Sequence, residues 1–279
     1  MMHNTFRARF WGWIGLILML LPSMAPAQTD YTTEFTTLLK TITTDRGVKY
    51  RTLAQHKAQF QRIRTAIEQQ NPAALTTDAA KLAFWINAYN VLMLQNILDY
   101  PDTQDVLASG RSDVFFKTPK LIAGNRLSLN QIENQMLRRG AGGLPNELKP
   151  SRLDPRIHVA LNCAAVSCPR LRPMAFTAQN LESMLSAAMR EFVNSPAHFR
   201  VSGNVIVVSS LLQWYGTDFD ATGRKAGDYL LGFMSPNRPD YATFAALFRG
   251  QDGRKLSALG GFNGKTVRYE YNWQVNRAD

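Results

Sequence analysis

Apolar residues recur every three or four positions in the first half of the chain, as they do on one face of an amphipathic helix. Tyr31 to Thr43 and Leu53 to Gln70 both follow this pattern. A third segment begins at the cap Thr77-Asp78 and continues to about Leu98, before Tyr100-Pro101 ends it. This third helix is apolar on nearly every side, so we expect it to lie inside the protein.

The second half of the chain alternates turn residues with short apolar segments. Lys120 to Leu127 and Phe199 to Val208 each contain a Gly-Asn turn, which predicts two β-hairpins. Further predicted elements are helices at Leu129–Arg138 and Leu181–Val193 and strands at Ile157–Leu161 and Thr266–Val275. We therefore predict a single helix-rich α+β domain with a small, mainly antiparallel sheet.

The first residues have the pattern of a secretory signal peptide. Arg7 and Arg9 precede an apolar run from Phe10 to Leu21, and Ala25-Pro26-Ala27 supplies the small residues of a cleavage site. The run is about a dozen residues long, whereas a membrane span needs about 20. We expect cleavage after Ala27, no stable membrane span afterwards, and a periplasmic or secreted protein.

The mature chain is then predicted to contain an N-terminal helical section, residues 28–76, and a main α+β domain, residues 77–279. Hydrophobic residues make up 45% of the sequence, which excludes a disordered chain, and two cysteines exclude a disulfide-dense scaffold. The net charge is +11, and it becomes +9 (30 basic minus 21 acidic residues) after cleavage. Solubility alone accounts for this charge, or it attracts an anionic envelope polymer. Export argues against nucleic acid as the partner.

Two asparagines lie three residues apart in the buried helix. Asn87 and Asn90 share one face, so both carboxamides can reach the same neighbouring element. A buried carboxamide without a partner costs about 1–3 kcal/mol, so each must meet a polar group. They either fix a loop to the core, or orient a catalytic group or a bound substrate.

Both cysteines of the protein occur in the segment from Asp154 to Pro169, which also contains His158. An imidazole beside a thiol can generate a nucleophilic thiolate, which makes Cys163 with His158 a candidate pair. In a straight strand these two side chains point to opposite faces, so the pair requires a bend between them.

Other interpretations of the same segment remain open. Cys163 and Cys168 can form a disulfide, since an exported protein meets an oxidising environment. Less favoured alternatives are a zinc site with His158, for which no fourth ligand is visible, core packing of the thiols, and dithiol redox activity. We predict no cofactor and no metal.

Four segments resemble successive blocks of the domain of unknown function 547 family. They are residues 84–90, 129–138, 154–169 and 271–273, and the resemblance extends over residues 77 to 275. Members of the family have been considered relatives of papain- and transglutaminase-like cysteine hydrolases. The resemblance therefore implies that fold and places Glu133, His158 and Cys163 together as a catalytic group.

Two hypotheses follow for the function. In the first, an exported cysteine hydrolase or acyl-transferase acts on a peptide or a cell-wall amide. Cys163 attacks, His158 transfers the proton, and Glu133 orients His158, while Asn162 or backbone N–H groups after Cys163 stabilise the oxyanion. In the second, a non-enzymatic envelope-binding domain contains a structural Cys163–Cys168 disulfide. The aromatic residues near the C-terminus, Tyr271 among them, line a cleft or fill the core, and the core is favoured.

Overall fold

The computed structural model describes Met1 and residues 31–108 and 110–279. Apart from Met1, the predicted signal peptide lies outside the described residues. In the part that is described, no helix combines the length and the apolar character that crossing a membrane requires.

The N-terminal region is helical, with one very short hairpin. Its helices are Tyr31–Ile42 (α1), Tyr50–Gln55 (α2), Lys57–Gln69 (α3) and Asp78–Asp99 (α4), and its strands are Thr43–Thr44 (β1) and Gly47–Val48 (β2). Helix α4 begins where the sequence predicts, because the Thr77 hydroxyl accepts a hydrogen bond from the Ala80 amide at 3.1 Å. The predicted helix from Leu53 to Gln70 is two helices, since the backbone turns away from helical geometry at His56.

The middle of the chain confirms one predicted hairpin and one predicted helix. The elements are Arg111–Lys117 (α5), Lys120–Ile122 (β3), Asn125–Leu127 (β4) and Leu129–Gln131 (α6), followed by a π-helical turn at Ile132–Leu137 and a 3₁₀ turn at Asn146–Leu148. Ser128 and Gln131 form a reciprocal capping box that starts α6.

The prediction of a strand at Ile157–Leu161 is wrong. Pro155–Val159 is a 3₁₀ helix, and Asp154 caps it by accepting a hydrogen bond from the Arg156 amide at 3.0 Å. An Asp cap followed by Pro at the first helical position favours a helical start over an extended one. His158 therefore lies on a helical turn, and the alternation of side chains along a strand does not apply to it.

The C-terminal half contains a three-stranded sheet surrounded by helices. The elements are Leu181–Asn194 (α7), Phe199–Ser202 (β5), Val205–Ser209 (β6), Ser210–Tyr215 (α8), a 3₁₀ turn at Gly216–Thr222, Ala226–Leu231 (α9), Tyr241–Phe248 (α10), Gly253–Leu256 (α11) and Thr266–Glu270 (β7). Strands β5 and β6 form the predicted antiparallel hairpin, and β7 pairs with β6 in parallel. The final strand ends at Glu270, short of the predicted Val275, because its partner β6 ends at Ser209.

Two hydrophobic cores meet at the His158 turn. One core contains α1 to α4, the residues around Cys163 and the first half of α7, and the other contains the second half of α7, the three-stranded sheet and the helices after it. Ile157 belongs to the first core and Val159 to the second, so His158 lies at their junction. The fold is the predicted α+β class, helix-rich with small, mainly antiparallel sheets.

Candidate active site

Parallel pairing of β6 and β7 brings two distant segments to one edge of the sheet. Ser209 at the end of β6 is level with Glu270 at the end of β7. Because parallel strands leave a sheet on the same side, the chain after β6 and the chain after β7 emerge as neighbours. The first supplies Trp214 and Tyr215, and the second supplies Tyr271.

A cleft of about 290 Å³ opens at this edge, next to the junction of the two cores. Its lining is mostly apolar and aromatic, with a small number of polar groups, as is usual for ligand sites. The residues that line it are Tyr89, Leu107, Ser112, Phe116, Lys117, Asn130, Glu133, His158, Leu161, Cys163, Cys168, Pro169, Leu211, Trp214, Tyr215, Tyr271 and Trp273. The cleft therefore contains the three predicted catalytic residues, Glu133, His158 and Cys163.

His158 is held by an aspartate that the sequence analysis missed. Its Nε2 atom lies 2.8 Å from Oδ2 of Asp218, and its ring stacks on Tyr215 with centroids 3.9 Å apart. Arg138 donates two further hydrogen bonds to the Asp218 carboxylate, at 2.6 and 3.0 Å. Burial raises the pKa of Asp218, but the hydrogen bonds from His158 and Arg138 outweigh it and lower that pKa to about 2.

A charged Asp218 fixes the tautomer of the imidazole. The ionised carboxylate only accepts, so Nε2 of His158 carries the proton of this hydrogen bond. In the neutral ring, Nδ1 then has the lone pair and is the atom able to act as a base.

Asp218 is positioned by a tight turn after α8. A Cβ atom on Gly216 would lie 2.5 Å from the Gly253 carbonyl oxygen, and one on Gly253 would lie 2.1 Å from that of Gly216. The two glycines allow the 3₁₀ turn to pack directly against the start of α11, and this turn holds Asp218 within hydrogen-bond distance of His158.

Glu133 lines the cleft but does not orient His158. The position expected for it is occupied by Asp218. The Glu133 carboxylate instead faces Tyr215: burial, the Glu133 charge and a hydrogen bond to Glu133 all raise the pKa of that phenol. Tyr215 therefore keeps its proton, can donate it to Glu133, and presents the face of its ring to His158.

Asn90 and Asn162 build the loop that carries Cys163. Asn90 donates to the Ala160 carbonyl at 3.0 Å and accepts from the Asn162 amide at 2.8 Å. The Asn162 side chain donates to the Pro169 carbonyl at 2.9 Å and accepts from the Ala164 amide at 3.0 Å. Their amides thus serve the backbone, and neither residue lines the cleft.

Asn87 fixes a different segment to the buried helix. Its side chain donates to the carbonyl oxygen of Phe176 at 2.7 Å, and its own oxygen accepts from the Phe176 amide at 2.9 Å. Asn87 therefore fixes a loop to the core, which is one of the two roles that the sequence left open for Asn87 and Asn90.

The Cys163 sulfur is surrounded by hydrogen-bond donors. Its Sγ atom lies 3.0 Å from the Tyr271 hydroxyl. Burial raises the pKa of the thiol, but hydrogen bonds from Cys168, from Tyr271 and from the Ala165 amide outweigh it and lower that pKa, while the Glu133 charge raises it. Within the described residues no hydrogen bond joins Cys163 to His158. The two line the same cleft, and catalytic contacts are often long before substrate binds.

Cys168 is the neutral partner of Cys163. Both cysteines are free thiols, and the Cys163 amide lies 2.8 Å from the Cys168 sulfur. Burial and the neighbouring Cys163 raise the pKa of Cys168 well above that of an ordinary thiol. Cys168 therefore remains protonated. Its thiol donates to the Leu161 carbonyl at 3.4 Å, and it can turn to donate to a Cys163 thiolate instead. In the described part of the chain, no three His, Cys, Asp or Glu side chains form a group that could hold a metal ion.

The C-terminal segment, residues 271–275, forms one wall of the cleft. Its backbone pairs with the Cys163 loop, through an Ala165–Val275 bridge and a 2.8 Å hydrogen bond from the Val166 amide to the Gln274 carbonyl. The Val106 amide donates to the Trp273 carbonyl at 3.0 Å and holds that residue at the cleft. The aromatic residues favoured as core thus also form a wall of the site.

The geometry defines a class of protein: a helix-rich α+β fold with an aromatic cleft. A cysteine and a histidine that is hydrogen-bonded to an aspartate both line this cleft. Residues 72–193 match the model of the family described as "Protein of unknown function, DUF547". No curated protein and no solved structure matches the chain. The matched residues include Glu133, His158 and Cys163, and end before Asp218 and Tyr271.

Proposed function

We propose that this protein is a cysteine hydrolase or acyl-transferase in which Asp218, His158 and Cys163 act in sequence. The observation that carries the proposal is the His158–Asp218 hydrogen bond, because it leaves Nδ1 as the basic atom of a ring that lines the same cleft as the Cys163 sulfur. The donors around the sulfur support it, since a thiolate is the nucleophilic form of cysteine.

The roles follow from the chemistry of these groups. His158 takes the thiol proton, and the Cys163 sulfur attacks a carbonyl carbon to give an acyl-enzyme after the leaving group accepts that proton from His158. Asp218 orients the ring and stabilises its charged form. A peptide or a cell-wall amide is the substrate class we propose, in an exported protein, and water or an amine accepts the acyl group.

Thiol alkylation tests the proposal without knowledge of the substrate. Reduced protein is titrated with iodoacetamide between pH 5 and 9, with Cys163→Ser and His158→Ala as variants. We expect the wild type to alkylate at Cys163 with a midpoint below the value of about 8.5 for a free thiol. His158→Ala should slow this reaction. Alkylation no faster than that of a free thiol, or unaffected by His158→Ala, would contradict the mechanism.

A further inference from the structure

Most of the oxyanion donors expected from the sequence are engaged elsewhere, and the Ala165 backbone amide is the exception. A tetrahedral intermediate needs a hydrogen-bond donor aimed at the oxygen that becomes negative. The Asn162 amide donates to Pro169. Five backbone amides of the loop donate to other groups: Cys163 to the Cys168 sulfur, Ala164 to Asn162, Val166 to Gln274, Ser167 to Asn272 and Cys168 to Ala165. The Ala165 amide faces the Cys163 sulfur itself.

The Tyr271 hydroxyl is a donor beside the sulfur that does not belong to this loop. It lies 3.0 Å from the Cys163 sulfur and also interacts with Cys168. Burial and the two sulfurs raise the pKa of Tyr271 well above its ordinary range, so the phenol keeps its proton. A carbonyl carbon bonded to the sulfur can bring its oxygen within reach of this hydroxyl, because the carbonyl group and the hydroxyl would both be direct neighbours of the Cys163 sulfur.

The Tyr271 ring is fixed by its neighbours. Its centroid lies 4.9 Å from that of Trp214 and 4.5 Å from that of Trp273, and the two indoles stack on each other at 5.5 Å. A donor held in place before the reaction loses little free energy to reorientation, which is the property that makes such groups effective.

We propose that Tyr271 is an oxyanion donor of this site, an inference that rests on the proposed function. The hydroxyl donates to the Cys163 thiolate before the reaction. As the S–C bond forms, the carbonyl π electrons move to oxygen, and the hydroxyl turns from the sulfur to that oxygen. The electron pair then returns, the bond to the leaving group breaks, and Tyr271 again faces the sulfur. The phenolic proton is donated in a hydrogen bond throughout and is not transferred.

Two reagents separate this role from simple support of the thiolate. Iodoacetamide reacts with a thiolate without forming an oxyanion, whereas p-nitrophenyl acetate acylates it through one and releases a leaving group that needs no proton. The rate constants for both are measured at one pH for the wild type, Tyr271→Phe and the control Tyr269→Phe. Tyr269 lies two residues earlier, and its hydroxyl accepts from the Leu259 amide at 2.8 Å, away from the cleft.

We expect Tyr271→Phe to lower the ratio of acylation to alkylation by at least about tenfold, since one oxyanion donor is worth 10²–10³ in rate in proteases. Tyr269→Phe should leave the ratio unchanged. An unchanged ratio in Tyr271→Phe would overturn the assignment, and its alkylation rate reports whether the cleft is intact. If wild-type protein gives no nitrophenolate burst that Cys163→Ser abolishes, the proposed function itself fails.

Discussion

The Nε2 atom of His158 lies 2.8 Å from Oδ2 of Asp218, although 60 positions separate the two residues in the chain. The contact converts a buried imidazole into a ring with one defined tautomer. It also assigns to Asp218 the role that the sequence analysis gave to Glu133. Asp218 and Glu133 can be distinguished experimentally, because we expect their substitution to have opposite effects on the reactivity of Cys163.

Asp218→Asn should slow acylation of Cys163 by p-nitrophenyl acetate by about 10²-fold, in the range of a lost general base. An asparagine amide can donate to Nε2 and stabilise the wrong tautomer. The measurement is the burst rate at pH 7, with circular dichroism to show that the fold survives the loss of the Arg138 ion pair.

Glu133→Gln should have the opposite effect on the thiol. The Glu133 charge raises the pKa of Cys163, so its removal should increase the alkylation rate below the midpoint. The check is the pH profile with iodoacetamide between pH 5 and 7. If Glu133→Gln instead slows the reaction, as Asp218→Asn is expected to do, Glu133 would regain the role predicted from the sequence, which is to orient His158.

Cys168→Ala should move the alkylation midpoint of Cys163 to higher pH, because the Cys163 thiolate loses a donor. Cys168→Ser retains a hydrogen-bond donor, so its alkylation midpoint should lie close to that of the wild type. Mass spectrometry without reductant, on protein purified from its native compartment, provides the independent comparison. A quantitative product lighter by two hydrogen atoms would favour the alternative function, an envelope-binding domain with a structural disulfide.

Asn90→Ala should destabilise the protein by about 2–4 kcal/mol, since it leaves the Ala160 carbonyl and the Asn162 amide buried without a partner. It should also slow alkylation of Cys163, whose loop it supports. Asn87→Ala is the matched control: it removes a similar pair of contacts to Phe176 and should lower the urea midpoint while leaving alkylation unchanged. Equal losses of alkylation in both variants would contradict the positioning role of Asn90.

His198 should make the stability of the protein depend on pH. Burial against Phe192 lowers its pKa from 6.5 to about 4, so between these values the unfolded chain binds a proton that the folded chain does not. The contribution of His198 to stability is therefore fully present above pH 6.5 and is lost on acidification, by about 3 kcal/mol. In urea titrations, the free energy of unfolding of the wild type should fall by about 3 kcal/mol relative to that of His198→Leu as the pH falls from 7 to 4. A constant difference would contradict the assignment.

Local sequence was sufficient for most of the helices and hairpins. Helix α4 begins at the predicted Thr77 cap, and both Gly-Asn hairpins form as predicted, because caps and turns depend on residues a few positions apart. Local sequence also suggested His158 and Cys163, which stand five residues apart, as a candidate catalytic pair. It failed at residues 157–161, where apolar composition suggested a strand and the Asp-Pro cap produced a 3₁₀ helix.

The partners of the two candidate catalytic residues were decided by the tertiary structure. Asp218 follows Gly216 in an ordinary polar turn, and Tyr271 follows a strand in an aromatic segment that equally fits a core. Nothing local marks either residue, since Tyr271 lies 108 positions from the sulfur that it contacts. The parallel pairing of β6 with β7 and the close approach of two glycines bring them to the cleft. Such contacts depend on how whole elements pack, and sequence periodicity describes only the face that each element buries.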